Sequence, residues 1–438
     1  MLIKNIHVRE VIKGAYSSFF IKVVSAGVTL LFYMYLGRTL GAESSGKFFL
    51  FLTILTIASV VVRFGLENTL LKLVSQCAPE KKWGIIFSAY SKAIKYVVVI
   101  SIAVSSIIYL AAGDIAIWLF SSSNMSSYIE IVALTITPLA ISVIHAQALQ
   151  GLKRIVDSTL ILNLLIPLVA LVGSMMVANT YGLQGVVSVY SFSIYIVCII
   201  SLVLWWKNVH NFENDKQTIK NSELLDSCIP LFWVSVIQMV INWFSYLVLG
   251  IFSTEAEVGI FGVGVRIVTL FGFFLMAINS ISAPKIAAMH TNGNRGEIEK
   301  MCRSSSTLLL YVTLPLFLIV FLASDLVMSL FGEEFTGNNL ALQILLFGQF
   351  INLLSGSVGV LLIMTGNEKL MRNNLIITMI LCVISNLVLV PVYGLIGAAI
   401  SFSFTMALQN VFLVIKAKKS LNIFTLPYLN PLKVFKIA

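Results

Sequence analysis

Stretches of apolar residues long enough to cross a bilayer recur from one end of this chain to the other. They fall near 16–37, 48–68, 90–112, 128–149, 157–178, 184–206, 228–250, 258–281, 304–324, 340–364, 372–391 and 394–416. A helix of about 20 apolar residues matches the hydrocarbon thickness of a membrane, so the pattern predicts about twelve spans. Only 11% of the residues are charged, well below the roughly 25% of a soluble domain. That excludes a soluble enzyme, a DNA-binding factor and a disordered tail. Period-2 alternation is absent, which excludes a transmembrane β-barrel. The expected fold class is an all-α polytopic membrane protein. The first 15 residues are basic and amphipathic, and no small-residue cleavage site follows the next apolar run. That run reads as a retained first helix.

The net charge of +10 points to cytoplasmic loops and not to nucleic acid. With an even number of spans both termini share one side. Placing them in the cytoplasm puts 24 of the 29 Lys and Arg residues on cytoplasmic segments or at the cytoplasmic ends of spans, and only Arg38 and Lys47 in outer loops. Alternating loops that divide this unevenly obey the positive-inside rule. Lys22, Arg63 and Arg266 remain, each within a span.

The sequence repeats itself. Tyr33-x-x-Leu36-Gly37-x8-Gly46-x-Phe48 returns as Tyr246-x-x-Leu249-Gly250-x8-Gly259-x-Phe261, 213 positions later. Tyr181-Gly182-Leu183-x-Gly185-x5-Ser191-Phe192 returns as Tyr393-Gly394-Leu395-x-Gly397-x5-Ser403-Phe404, at an offset of 212. Six spans per repeat keep the same orientation, so two pseudo-symmetric lobes with a cavity between them are expected. The organisation is then an N-lobe over 1–206, a cytoplasmic linker over 207–227, a C-lobe over 228–416 and a cytoplasmic tail over 417–438. Two lobes about a central site are the architecture of alternating access. The outer loops are too short to host polymerase or ligase chemistry, so a transporter is expected and not an enzyme.

A charge inside a span costs about 2.5–3.5 kcal/mol on insertion scales, so it should face water or a partner. Lys22 shares a helical face with Ser18, Ser25, Thr29 and Tyr33; it is also near enough to the cytoplasmic end to snorkel out. Arg63 shares a face with Thr53, Thr56 and Glu67, and the four-residue spacing from Glu67 equally suits a structural ion pair. Ser235, Gln238, Asn242 and Ser245 line the seventh span. Gly259, Gly262, Arg266 and Thr269 line the eighth, where Arg266 has no acidic neighbour. These stripes predict a hydrophilic, electropositive interior. Lys22, Arg63 and Arg266 are the candidate anion-binding residues, and Ser25, Thr29, Tyr33, Gln238 and Asn242 the candidate polar lining. Glu67 and Asp157 are candidates for ion coupling, although Asp157 also suits a helix start. His145, with Gln147 and Gln150, suits either a cavity mouth or a helix contact.

Five scattered cysteines show no metal-ligand spacing and read as small apolar residues. No HExxH, Walker A, GxSxG or clustered acidic motif occurs, so no metal, cofactor or nucleotide motor is expected. Arg and Lys bind phosphate oxygens through charge-assisted hydrogen bonds. Asn, Gln, Ser and Tyr suit sugar hydroxyls. A cationic polar interior therefore suits an anionic head group on a lipid tail that stays in the bilayer.

The chain resembles the polysaccharide-transporter branch of the multidrug/oligosaccharidyl-lipid/polysaccharide exporter superfamily, and within it the Wzx-type O-antigen flippases. The resemblance is carried by Tyr35-Leu36-Gly37-Arg38-x3-Ala42-x3-Gly46-x-Phe48, Arg63-Phe64-Gly65-Leu66, Leu149-Gln150-Gly151-x-Lys153, Tyr181-Gly182-Leu183-x-Gly185 and Tyr393-Gly394-Leu395-x-Gly397-Ala398. It implies a flippase in the bacterial inner membrane for undecaprenyl-pyrophosphate-linked oligosaccharide repeat units in lipopolysaccharide biosynthesis. A polysaccharide polymerase and a chain-length regulator are the implied partners, and no nucleic acid is. The alternatives are an ion-coupled multidrug antiporter of the same fold and a membrane glycan polymerase or ligase.

Overall fold

The computed structural model of the chain describes residues 6–120, 122–209, 218–291 and 293–428, with side chains from residue 17 onward. All regular secondary structure among these residues is helical. The chain divides into two compact units, Met1–Met239 and Val240–Ala438.

The first unit holds α1 (Ile6–Arg63), α2 (Leu66–Cys77), α3 (Trp83–Leu110), α4 (Ala112–Phe120), α5 (Ser126–Gly151), α6 (Ile155–Thr159) and α7 (Leu165–Val209). A π-helical turn, Leu160–Leu164, joins α6 to α7. The helix α8 (Asn221–Phe252) begins in this unit and ends in the second. At the centre of the unit α5 packs on α1, α2, α3 and α7. Pro138 lies inside α5 and cannot donate to the carbonyl one turn back. Tyr195 Oη of α7 donates to that carbonyl, Leu134 O, at 2.7 Å. The helix therefore runs through the proline that interrupts the sequence pattern.

The second unit continues with α9 (Glu255–Thr291), α10 (Arg295–Leu322), α11 (Ser324–Ser329), α12 (Asn339–Ser355), α13 (Val358–Met364) and α14 (Glu368–Leu421). Here α12 is central and packs on α9, α10 and α14. Gly356 (φ 60°, ψ −143°) ends α12, and the bend to α13 is 41°.

Among the described residues, eight helices are long and apolar enough to cross a membrane, or nine with α12 and α13 taken as one bent span. Three of these stretches are broken at one glycine in a conformation that L side chains rarely adopt. These are Gly41 (φ 81°), Gly182 (φ 54°, ψ −145°) and Gly394 (φ 52°, ψ −127°). The outer loops expected at 38–47, 179–183 and 392–393 are thus helical apart from or next to a single residue. Within the stretch 207–227 the described residues 207–209 and 221–227 are helical: α7 runs to Val209 and α8 begins at Asn221. Its residues 210–217, and 429–438 of the expected tail, lie outside the described residues.

The internal repeat extends to the helix boundaries. Trp83–Leu110 and Arg295–Leu322 are both 28 residues long and start 212 positions apart. Ser126–Gly151 and the α12–α13 pair, Asn339–Met364, share an offset of 213, and the two glycine breaks at 182 and 394 share one of 212. Tight turns repeat as well. Lys81 and Gly293 are left-handed (φ 56° and 72°), as are Lys153 and Gly366 (φ 65° and 75°). In each turn the next residue's N–H returns to a carbonyl five positions back, as in Lys82 to Cys77, Arg154 to Leu149, Asn294 to Met289 and Asn367 to Leu362. This is the Schellman closure of a helix C-terminus.

The equivalent cores differ in chemistry. In the second unit Ile286, Ile298, Cys302, Leu361 and Leu362 form a buried apolar cluster. Val74, Ile86, Tyr90, Ala148 and Leu149 occupy the matching positions of the first, joined by Trp205. Tyr90 stacks on Trp205 with centroids 4.5 Å apart. Its hydroxyl lies 2.8 Å from His145 Nε2, and His145 Nδ1 lies 2.8 Å from Ser201 Oγ. The buried His145 is therefore a helix-contact residue, tied to α3 and α7.

Candidate functional site

The sequence Arg63-Phe64-Gly65-Leu66 does not continue the helix. Phe64 (φ 48°) and Gly65 (φ 76°) are both left-handed, so α1 stops at Arg63 and α2 starts at Leu66. A Cβ at Gly65 would lie 2.6 Å from both Cys228 O and Phe232 N. Only glycine admits this approach of the α8 backbone. Phe64 stacks on Phe232 at 4.7 Å beside it.

Arg63 and Glu67 sit on opposite sides of the break. Arg63 Nε is 3.6 Å from Glu67 Oε1, and both side chains are largely buried. Arg63 Nη1 donates to Ser59 Oγ at 3.0 Å. Ser235 Oγ of α8 donates to Glu67 Oε1 at 3.1 Å, and Asn68 Nδ2 donates to Ser235 Oγ at 3.1 Å. Glu67 lies in the first turn of α2, where the helix dipole favours a carboxylate. The pair is left incomplete. Arg63 Nε and Glu67 Oε2 are buried without a hydrogen-bond partner among the described residues. A buried polar atom in that state costs about 1–3 kcal/mol.

The second cation-bearing face lies in the second unit. Arg266 of α9 is half-buried with its guanidinium 5.9 Å from the Trp243 ring centre, at cation–π range. Trp243 in turn packs on Tyr246 at 5.4 Å. Asn242 on the same helix is exposed. Gln238, one turn earlier, is exposed and falls in the first unit. Gly259 and Gly262 are buried within α9.

The stripe of the first span divides. Lys22 and Thr29 are half-buried. Ser18 and Ser25 are buried and meet the π-helical region. Ser18 Oγ lies 2.8 Å from Thr159 Oγ1, and Ser25 Oγ donates to Asn163 O. Tyr33 is buried and stacks on Phe49 at 4.9 Å, within a cluster that includes Phe32 and Phe48. Protein groups therefore meet Ser25 and Tyr33 where the stripe suggested water. Asp157 is half-buried in the first turn of α6, the position where a carboxylate favours the helix dipole. The structure adds Ser59, Asn68 and Trp243, which the sequence pattern did not single out. Helical spacing could have found Ser59, one turn before Arg63 on α1, but not Asn68 or Trp243, whose partners come from another helix.

All five cysteines are free, with Cys228, Cys302 and Cys382 buried. No group of three or more metal-binding side chains occurs among the described residues.

The family described as polysaccharide biosynthesis protein matches residues 35–338. The chain belongs to this family. A relative from Haloferax volcanii, described as a probable low-salt glycan biosynthesis flippase, Agl15, is 24% identical over 414 residues, covering 92% of this chain and 82% of its own length. The lipid II flippase MurJ in its inward closed conformation superposes with a TM-score of 0.74 at 15% identity, over 93% of this chain and 87% of that one. An inward-facing multidrug resistance MATE family transporter of the MOP superfamily gives 0.75 at 13%, over 93% and 98%. The fold is thus the all-α, multi-pass membrane fold of the MOP superfamily.

Proposed function

We propose that this polysaccharide biosynthesis protein is a flippase, not an enzyme. It moves undecaprenyl-pyrophosphate-linked oligosaccharide repeat units of the O-antigen type from the cytoplasmic to the periplasmic leaflet of the bacterial inner membrane, by alternating access. Family membership carries the reading, and the Haloferax relative described as a glycan flippase supports it. The chemistry agrees. A pyrophosphate cannot cross hydrocarbon without replacement partners for its oxygens, and Arg63, Arg266 and Lys22 are among the cations on membrane helices. We assign head-group binding to these three and polar contacts to Thr29, Gln238 and Asn242. Ion coupling falls to Glu67 in preference to Asp157.

The topology follows from length. Ser17–Arg63 holds 47 residues, about 70 Å of helix at 1.5 Å per residue, which is twice a bilayer. The stretches Ile155–Val209 and Glu368–Leu421 hold 55 and 54. Each of the three crosses twice, turning at its glycine. With the bent pair as one span this gives twelve crossings, six per repeat, so both termini share one side, and the distribution of Lys and Arg supports the cytoplasm.

Cells lacking the protein should accumulate lipid-linked repeat units on the cytoplasmic face and lose surface polysaccharide. Normal surface polysaccharide without accumulation removes the proposal. The buried Glu67 and the multidrug transporter's matching fold favour a second reading, export of organic cations. Dye efflux that survives Arg266→Ala and disappears in Glu67→Gln would select it.

A further inference from the structure

We propose that Glu67 is a proton-binding site that controls whether Arg63 is available to an anionic ligand. The inference rests on the reading of Arg63 as a phosphate-binding residue and says what regulates it.

Three observations carry it. First, the ion pair is long. Arg63 Nε lies 3.6 Å from Glu67 Oε1, beyond hydrogen-bond range, and the guanidinium's bond to Ser59 uses one of its five N–H groups. Second, Glu67 is 5% exposed, and its Oε2 is buried with no hydrogen-bond partner among the described residues. The Oε1 atom is already engaged by Ser235, so Oε2 is the open position for a proton. Third, the pair straddles the left-handed break at Phe64 and Gly65, against which the α8 backbone is packed. The separation of the two groups is therefore set by the break and not by a regular helical turn.

A proton suits this position better than a metal cation. The adjacent guanidinium repels any added cation, whereas a proton converts the carboxylate to a neutral acid and removes the attraction that holds Arg63. Bulk water supplies the proton, which bonds to Oε2. Arg63 keeps its charge and gains free N–H donors for a phosphate oxygen. With Glu67 ionised, carboxylate and phosphate compete for the same guanidinium.

The surroundings leave few other titrating groups. Arg63 of α1 and the Cys228 thiol of α8 interact electrostatically with Glu67. On the elements packed against α2, Tyr90 of α3 and His145 of α5 are bonded to each other. Lys92 of α3 donates to Ile219 O. Lys72 on α2, Lys95 on α3, and Glu223 and Asp226 on α8 are exposed.

The test uses the full chain in lipid nanodiscs and a short-chain polyprenyl diphospho-N-acetylglucosamine, a diphosphate diester of constant charge. Its Kd is measured calorimetrically from about pH 8 to about pH 4. Wild type should bind about tenfold more tightly at the acid end, in line with one released charge-assisted bond. Glu67→Gln keeps an acceptor for Ser235 and should bind at the alkaline end as tightly as wild type does in acid, with no pH dependence. Wild-type binding that is flat with pH overturns the proposal without any variant, as does Glu67→Gln with an unchanged wild-type profile. Both leave the phosphate-binding role standing. Absence of saturable binding at every pH overturns that role and the proposal together.

Discussion

Arg266 is the residue on which the transport reading leans hardest, because it is a half-buried cation held at cation–π range of Trp243 on a neighbouring helix. A charge-assisted hydrogen bond contributes about 1.5–3 kcal/mol. Arg266→Ala should therefore slow transport by roughly tenfold or more, while Arg266→Lys retains part of the rate. Flux per inserted molecule in membrane vesicles checks this. His145 illustrates the opposite case. The Ser201 hydroxyl proton is directed at Cys198 O, 2.8 Å away, so Ser201 Oγ accepts from His145 Nδ1–H. His145 Nε2 then accepts from Tyr90. The chain fixes one tautomer and ties three helices. Tyr90→Phe removes a donor from a buried acceptor and should cost about 1–3 kcal/mol of stability, read as a lower Tm with flux per folded molecule unchanged. The types of both residues were visible in the sequence, but their partners were not. Periodicity places Ser18, Ser25 and Tyr33 on one face without saying whether that face meets water, a neighbouring hydroxyl or an aromatic ring.

At the scale of elements, breaks at glycine decide the architecture. Gly182 and Gly394 share a backbone conformation but not surroundings. A Cβ at 182 meets nothing within 4 Å, whereas at 394 it lies 2.7 Å from Glu257 Oε2. That carboxylate accepts the Leu395 N–H at 2.8 Å and so satisfies the start of the second half-helix. Gly182→Ala should cost only the strain of its backbone, about 1–3 kcal/mol. Gly394→Ala should cost more, and thermal unfolding of the two purified variants compares them. Gly65→Ala should lower Tm as well, because its Cβ would strike α8 backbone and not a flexible side-chain end. Span positions were legible because a run of about 20 apolar residues fixes a helix by composition alone. The breaks were not. A glycine inside an apolar run gives no signal of its backbone angle, so single-residue turns read as longer loops and Arg63-Phe64-Gly65-Leu66 read as unbroken helix.

At the scale of the whole molecule, the two halves of the chain repeat one succession of helices, tight turns and glycine breaks. The repeat was legible from two short motifs; the second marks the glycine breaks at 182 and 394, whereas the break at Gly41 falls in the unmatched interval of the first, where the second copy has Thr254. The chemistry laid on the two copies is not the same. Tyr90 stands where Cys302 does, and Lys153 stands where Gly366 does, although both of the latter are left-handed. Lysine in that conformation is strained by about 1–2 kcal/mol, so Lys153→Gly should raise Tm. The family and the fold place this chain among membrane proteins of polysaccharide biosynthesis, and the proposed role of Lys22, Arg63 and Arg266 is to hold a phosphate. The most direct test is a flip assay in proteoliposomes containing the purified chain and a fluorescent undecaprenyl-pyrophosphate-linked oligosaccharide, with the outer leaflet quenched chemically. Wild type should carry the lipid between leaflets much faster than empty vesicles do, and Arg266→Ala should fall most of the way back. A wild-type rate equal to that of empty vesicles would contradict the account.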